Sequence, residues 1–88
     1  MKLLFKESFA KDLEKITDTQ FLSQVRRVIE STEKAPTLRE IPHIKKLLAS
    51  GKYFRIRIGQ YRIGLIAEKG EITFVRCLHR RDIYRYFP

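Results

Sequence analysis

At 88 residues, with 19 Lys and Arg against 10 Asp and Glu, the chain has room for one domain with a small core and carries a net charge of +9. Such a charge points to a polyanionic partner. A 43% apolar content excludes a disordered chain, and a single cysteine, Cys77, excludes an internal disulfide or a multi-cysteine metal site and fits a reducing cytoplasm. No run of 18 apolar residues is present to cross a membrane, and the Leu-Leu-Phe run after Met1-Lys2 is too short for a secretory signal. The charge is uneven: 11 basic and 3 acidic residues lie from Lys45 to Pro88, against 8 and 7 before them.

Lys2 to Lys6 reads as a first strand. Ser8 is read as the N-cap of a helix whose Phe9, Leu13 and Ile16 recur at helical spacing. Thr17-Asp18-Thr19 breaks it and caps a second helix, striped by Phe21, Leu22, Val25, Val28 and Ile29 and ended near Lys34 by Pro36. Mixed charge on their polar faces makes these helices a cover for a sheet. From Thr37 to Gly51, Ile41, Ile44, Leu47 and Leu48 fit either a helical turn or a strand, and the reading favours a loop with a short turn. His43, beside Pro42, is read as a surface histidine, and the pair Lys45-Lys46 as basic surface.

Tyr53 to Ala67 reads as a hairpin. Phe54, Ile56 and Ile58 alternate with Tyr53, Arg55 and Arg57, and Gly59-Gln60 suits a two-residue type II′ turn with its glycine first. That turn pairs Arg57 with Arg62, Ile56 with Ile63, Arg55 with Gly64 and Phe54 with Leu65. One face becomes apolar; the other holds Tyr53, Arg55, Arg57, Arg62 and Gly64. Two arginines directly opposite repel, which an anion between them would relieve, and Gly64 leaves a notch for a close ligand. The second hairpin has two solutions. A tight Lys69-Gly70 turn puts Ile72, Phe74, Arg76 and Leu78 on the apolar face. A three-residue Glu68-Lys69-Gly70 loop with a bulge puts Thr73, Val75, Cys77 and His79 there and Arg76 beside Arg62. A buried Arg76 needs a partner that the sequence does not reveal, so the bulge is favoured, with Cys77 a small core residue.

The tail, His79 to Pro88, interleaves basic and aromatic residues. Ile83, Tyr86 and Phe87 have the spacing to dock on the sheet, and Tyr84 is expected to face the groove, where an aromatic ring can stack on a base while arginines take phosphates. No P-loop, GxGxxG, HExxH, CxxC or GxSxG motif is present.

YFRIRIGQYRIGLI followed by HRRDIYR resembles the RelE/ParE superfamily of toxins from type II toxin-antitoxin modules, and within it the RelE branch; the likeness spans nearly the whole chain. It implies an α+β fold, with a small antiparallel sheet of about four strands under an N-terminal helical hairpin. It also implies a ribosome-dependent endoribonuclease that cuts messenger RNA by attack of a 2′-hydroxyl on the adjacent phosphate, without metal or other cofactor. The partners it implies are a cognate antitoxin, the ribosome and messenger RNA. Arg55 and Arg57 fall where relatives carry two basic residues, Arg62 on the next strand, and Arg80 and Tyr84 in the tail. With His79 these are the expected catalytic residues, and Lys45, Lys46, Lys52, Arg76, Arg81 and Arg85 the expected RNA-binding rim. The arginines suit charge stabilisation, and histidine as a residue type titrates in the range of general acid-base work. The same superfamily implies two alternatives: a gyrase-directed toxin, or a non-catalytic module that binds nucleic acid or antitoxin.

Overall fold

The computed structural model describes residues 1–47 and 51–88. Strand β1 (Lys2–Phe5) leads into helices α1 (Glu7–Glu14) and α2 (Thr19–Lys34). A 3-10 turn at Leu38–Glu40 follows, then strands β2 (Ile44–Lys46), β3 (Tyr53–Ile58), β4 (Tyr61–Glu68) and β5 (Glu71–His79), and a terminal helical turn, α3 (Ile83–Tyr86). The fold is α+β, as expected. Among the described residues the sheet has five strands, in the order β1-β5-β4-β3-β2, and β1 runs parallel to β5. The sheet has one strand more than the about four expected, and it is antiparallel as expected except where β1 joins β5.

The added strand is β2, within the stretch read as a loop. Its three residues pair with β3, Ile44 opposite Ile56 and Lys46 opposite Phe54, so Ile44 joins the core through tertiary pairing rather than through any local pattern. The part of that reading that rests on Leu48 lies outside the described residues.

The helices form largely where their stripes place them. Asp18 caps α2, its carboxylate accepting from the Gln20 and Phe21 N–H groups. Ser8 is not the cap of α1. The N-cap is Lys6, and the Ser8 hydroxyl donates instead to the Val75 carbonyl on β5 at 2.6 Å. α1 thus closes the β5 edge where β1 stops. Asp12, one turn further on, accepts from the Cys77 N–H at 2.9 Å and from Arg76 through two bonds of 2.8 and 3.0 Å. The partner that Arg76 lacked in the sequence is Asp12, 64 residues away.

The β3–β4 register is the one the Gly59 turn dictates, from Tyr53 opposite Ile66 to Ile58 opposite Tyr61. Gly59 has φ +56°, and Gln60 is not in the left-handed region, as a type II′ turn requires. Ile56, Ile63 and Leu65 are fully buried, with Phe9 of α1 and Val25 of α2 in the same cluster, as expected of the apolar face. In the second hairpin Glu68 faces Glu71, so the loop is the tight Lys69-Gly70 turn, with φ values of 52° and 77°. The three-residue loop is corrected. The bulge lies instead in mid-strand: Leu65 faces Phe74, Gly64 faces Arg76, and Val75 is the extra residue. Ile72 and Phe74 therefore enter the core as the tight turn dictates. Past the bulge Cys77 enters it too, and Leu78, not Arg76, sits opposite Arg62.

A candidate anion site on the arginine face

The second face of the sheet carries Tyr53, Arg55, Arg57, Arg62 and Gly64 by the alternation of β3 and β4. The Gly64 notch does not stand open. A Cβ at Gly64 would lie 2.6 Å from Cγ and Cδ2 of Phe87, whose ring fills it and meets Tyr53 edge-on at 5.8 Å. Ile83 and Phe87 are buried, so α3 is pinned to this face. Tyr86 is 58% exposed, lying under the Arg76 guanidinium rather than docking on the sheet. Tyr84, 60% exposed, is free to meet a ligand.

The opposed pair Arg57 and Arg62 is held apart by the protein's own acceptors. Arg62 bends back over the turn, and its Nη1 donates to the carbonyls of Gly59 and Tyr61, each at 3.0 Å. Arg57 leans the other way, with Nη2 3.2 Å from Nδ1 of His43. Arg55 Nη1 donates to the His43 carbonyl at 3.1 Å, and its buried Nε has no partner among the described residues. Arg80 is brought alongside by its N–H, which donates to the Gln60 carbonyl in the same turn at 2.7 Å. Partial burial, and next the charge of Arg55, holds the Arg62 guanidinium below its ordinary range; the Tyr84 hydroxyl offsets part of this, while Arg57 and Arg80 add to it. Three cations and a phenol therefore act on Arg62. The salt bridges among the described residues are Lys2–Glu71, Lys11–Glu7 and Arg76–Asp12, and none involves these four arginines. A crowded cationic cluster of this kind has the charge and the donors to receive an anion with several oxygens.

The sequence-predicted residues divide. Arg55, Arg57, Arg62, Arg80 and Tyr84 come together, and Lys45 joins their face opposite Arg55. His79 does not. It lies opposite Tyr61, its ring edge-on to the Tyr61 ring at 5.8 Å, and Tyr61 packs on Phe21 of α2. His79 is thus on the helix side of the sheet, its Nδ1 accepting from the Arg81 N–H at 3.1 Å and facing Arg81 Nε at 3.3 Å. Arg76 is committed to Asp12, which raises its pKa through their hydrogen bonds. Lys46, opposite Phe54, points to the helix side, and the Lys52 ammonium lies over the Tyr53 ring at 5.3 Å. Arg85 is exposed on α3. The residue that sequence reading missed is His43, which touches both Arg55 and Arg57. Its lone position after Pro42 carries no spacing signal, and only the fold brings it to the arginines.

The family described as ParE toxin of type II toxin-antitoxin system, parDE, matches residues 3–84. Toxin RelE3 of Methanocaldococcus jannaschii is 38% identical over 89 residues, covering all of both chains. A solved RelB-RelE antitoxin-toxin complex from Methanococcus jannaschii aligns with a TM-score of 0.80 at 36% identity, over 97% of this chain and 99% of that one. The toxin-antitoxin complex RelBE2 of Mycobacterium tuberculosis has the same fold, with a TM-score of 0.70 at 22% identity over 90% and 96%. The chain belongs to the RelE/ParE superfamily of type II toxin-antitoxin toxins. Among the described residues, no helix is long and apolar enough to cross a membrane.

Proposed function

We propose that this toxin is a ribosome-dependent endoribonuclease that cleaves messenger RNA, with the arginine face as its active site. The observation that carries the reading is the convergence of Arg55, Arg57 and Arg80 on Arg62, beside Tyr84 and without a carboxylate. RNA contains its own nucleophile. When a 2′-hydroxyl attacks the adjacent phosphate, negative charge builds on the phosphorane oxygens, and guanidinium groups fixed beforehand stabilise that charge without reorganising. Arg62, fixed by two carbonyls, and Arg57 supply it from adjacent strands. Arg80 stands beside the leaving 5′-oxygen, and Tyr84 offers an exposed ring for a base. Lys45, Lys52, Arg81 and Arg85 extend the positive rim.

A cognate antitoxin supplies the other partner, with an acidic or amphipathic segment that folds onto the basic face. The solved RelB-RelE antitoxin-toxin complex, whose toxin this chain resembles, supports this reading.

The test is Arg62→Ala on programmed ribosomes. Arg62 leaves no core cavity, and the loss of its two carbonyl bonds is offset by relief of the repulsion with Arg57, so melting should stay within about 4 °C of the parent. Cleavage should fall by on the order of 10²–10³ or more. Wild-type cleavage by a stable Arg62→Ala protein removes the arginine face from the chemistry. Intact messages with DNA breaks on induction of the parent would make it a gyrase-directed toxin, the second reading that the ParE family description keeps in play.

A further inference from the structure

Among the described residues, β3, β4 and the tail bring cations and a phenol to the arginine face but no group suited to take a proton. Arginine stays protonated, and tyrosine side chains keep their proton near neutrality. His79 lies on the opposite side of the sheet. One imidazole does reach this face. His43 is exposed and has φ +62°, a left-handed conformation uncommon outside glycine. The strain is held by the site itself, because the His43 carbonyl accepts from the Arg57 N–H at 3.3 Å and from Arg55 Nη1 at 3.1 Å. Those bonds fix the residue, and the ring then meets Arg57 Nη2 through Nδ1 at 3.2 Å.

Resting on the ribonuclease reading above, we infer that His43 is the general base of this site, accepting the 2′-hydroxyl proton on Nδ1. A guanidinium is only a donor, so the contact with Arg57 requires a lone pair on Nδ1. That lone pair is masked while Arg57 occupies it. A phosphate is a stronger acceptor for the guanidinium than a neutral imidazole. When the scissile phosphate arrives, Arg57 turns to it and uncovers Nδ1 beside the same phosphate. The 2′-oxygen then bonds to phosphorus as its proton passes to Nδ1. The bond from phosphorus to the 5′-oxygen breaks, and that oxygen takes a proton from water. The products are a 2′,3′-cyclic phosphate, a 5′-hydroxyl and an imidazolium that returns its proton to solvent. The substrate thereby switches on its own base. Among the described residues, the charged groups around His43 are Arg57, which meets its ring, Arg55, which bonds its carbonyl, and Arg27 of α2, which lines the same small cavity.

The experiment is single-turnover cleavage on programmed ribosomes from pH 5 to 9, comparing the parent with His43→Asn and His43→Gly. Asparagine tolerates the left-handed backbone and keeps an acceptor for Arg57 but cannot take the proton; glycine suits the backbone and opens a space for free imidazole. The parent rate should rise about tenfold per pH unit on its acid limb and then level. His43→Asn should be slower by about 10²–10⁴ on the plateau and lose that limb. Added imidazole should restore much of the His43→Gly rate. An asparagine variant that keeps the parent rate and acid limb assigns the base elsewhere, as does a glycine variant that is slow but deaf to imidazole. A parent that cuts no message sinks the ribonuclease reading, and the role of His43 falls with it. An active parent with an indifferent His43 sinks this inference alone.

Discussion

Cys77 shows what the mid-strand bulge does to a single side chain. It is 1% exposed in the core, and burial, with a smaller contribution from the Asp12 charge, pushes its thiol up to about 12 from an ordinary 9.0. Its sign is that of a raised pKa. Above pH 9 the unfolded chain releases this proton while the folded chain holds it, so stability is full below about pH 9 and falls as the pH climbs towards 12. Urea unfolding at pH 7.5 and 10.5 should show a larger alkaline loss for the parent than for Cys77→Ala. Equal losses would mean that the thiol is not kept neutral by the fold. The same thiol should resist alkylating reagents until the protein unfolds.

The elements differ in how plainly their residues announce them. The β3–β4 hairpin was fully legible, because Gly59 permits one turn, and that turn fixes every pair from Arg57–Arg62 to Phe54–Leu65. The arginine face followed from it. β5 was not legible, because its two halves obey different registers around Val75 and β5 itself has no glycine to mark the bulge. The Arg76–Asp12 pair that rewards this arrangement joins residues 64 apart, and a local pattern carries no trace of it. β2 is three residues long and exists through its pairing with Ile56, Arg55 and Phe54. His43 escaped for the same reason: its worth lies in contacts with Arg55 and Arg57, 12 and 14 residues further on. The Gly64 notch was legible as a notch, but its occupant is the chain's own Phe87. Gly64→Ala tests that seat. Its methyl would clash with a buried ring, so α3 should lift from the sheet while the core strands stay closed. Hydrogen exchange at the Arg85 and Phe87 amides, which now bond to Asp82 and Ile83, should rise towards the unprotected limit, with β4 unchanged. Retained protection would show that the ring tolerates the methyl.

At the scale of the whole molecule, charge is divided between two surfaces. The helices carry nearly balanced charge, and the sheet's second face and tail carry most of the excess. Binding of a single-stranded RNA should therefore weaken steeply with salt. If Arg55, Arg57, Arg62 and Arg80 each neutralise one phosphate, the logarithmic slope should be about −3, at roughly −0.7 per contact. Removing Arg80 should flatten it by about 0.7, whereas removing Lys11, already paired with Glu7 on α1, should leave it unchanged. A slope near zero would mean that charge neutralisation is not what holds the RNA.

The parallel pairing of β1 with β5 has a consequence in time rather than in space. Leu3 lies beside Ile72, and Lys2 beside Glu71, so the sheet is closed by strands from nearly opposite ends of the chain. The β3–β4 and β4–β5 hairpins are joined by two-residue turns and need only short loops to close, which is rapid. Joining β1 requires ordering most of the chain between, and such non-local parallel contacts form late. The arginines of the hairpin should therefore come into register early, on the fast-forming part of the sheet. The latch at β1 is what makes that arrangement last: contacts formed after the folding barrier set chiefly how slowly the finished protein comes apart, and only weakly how quickly it is made.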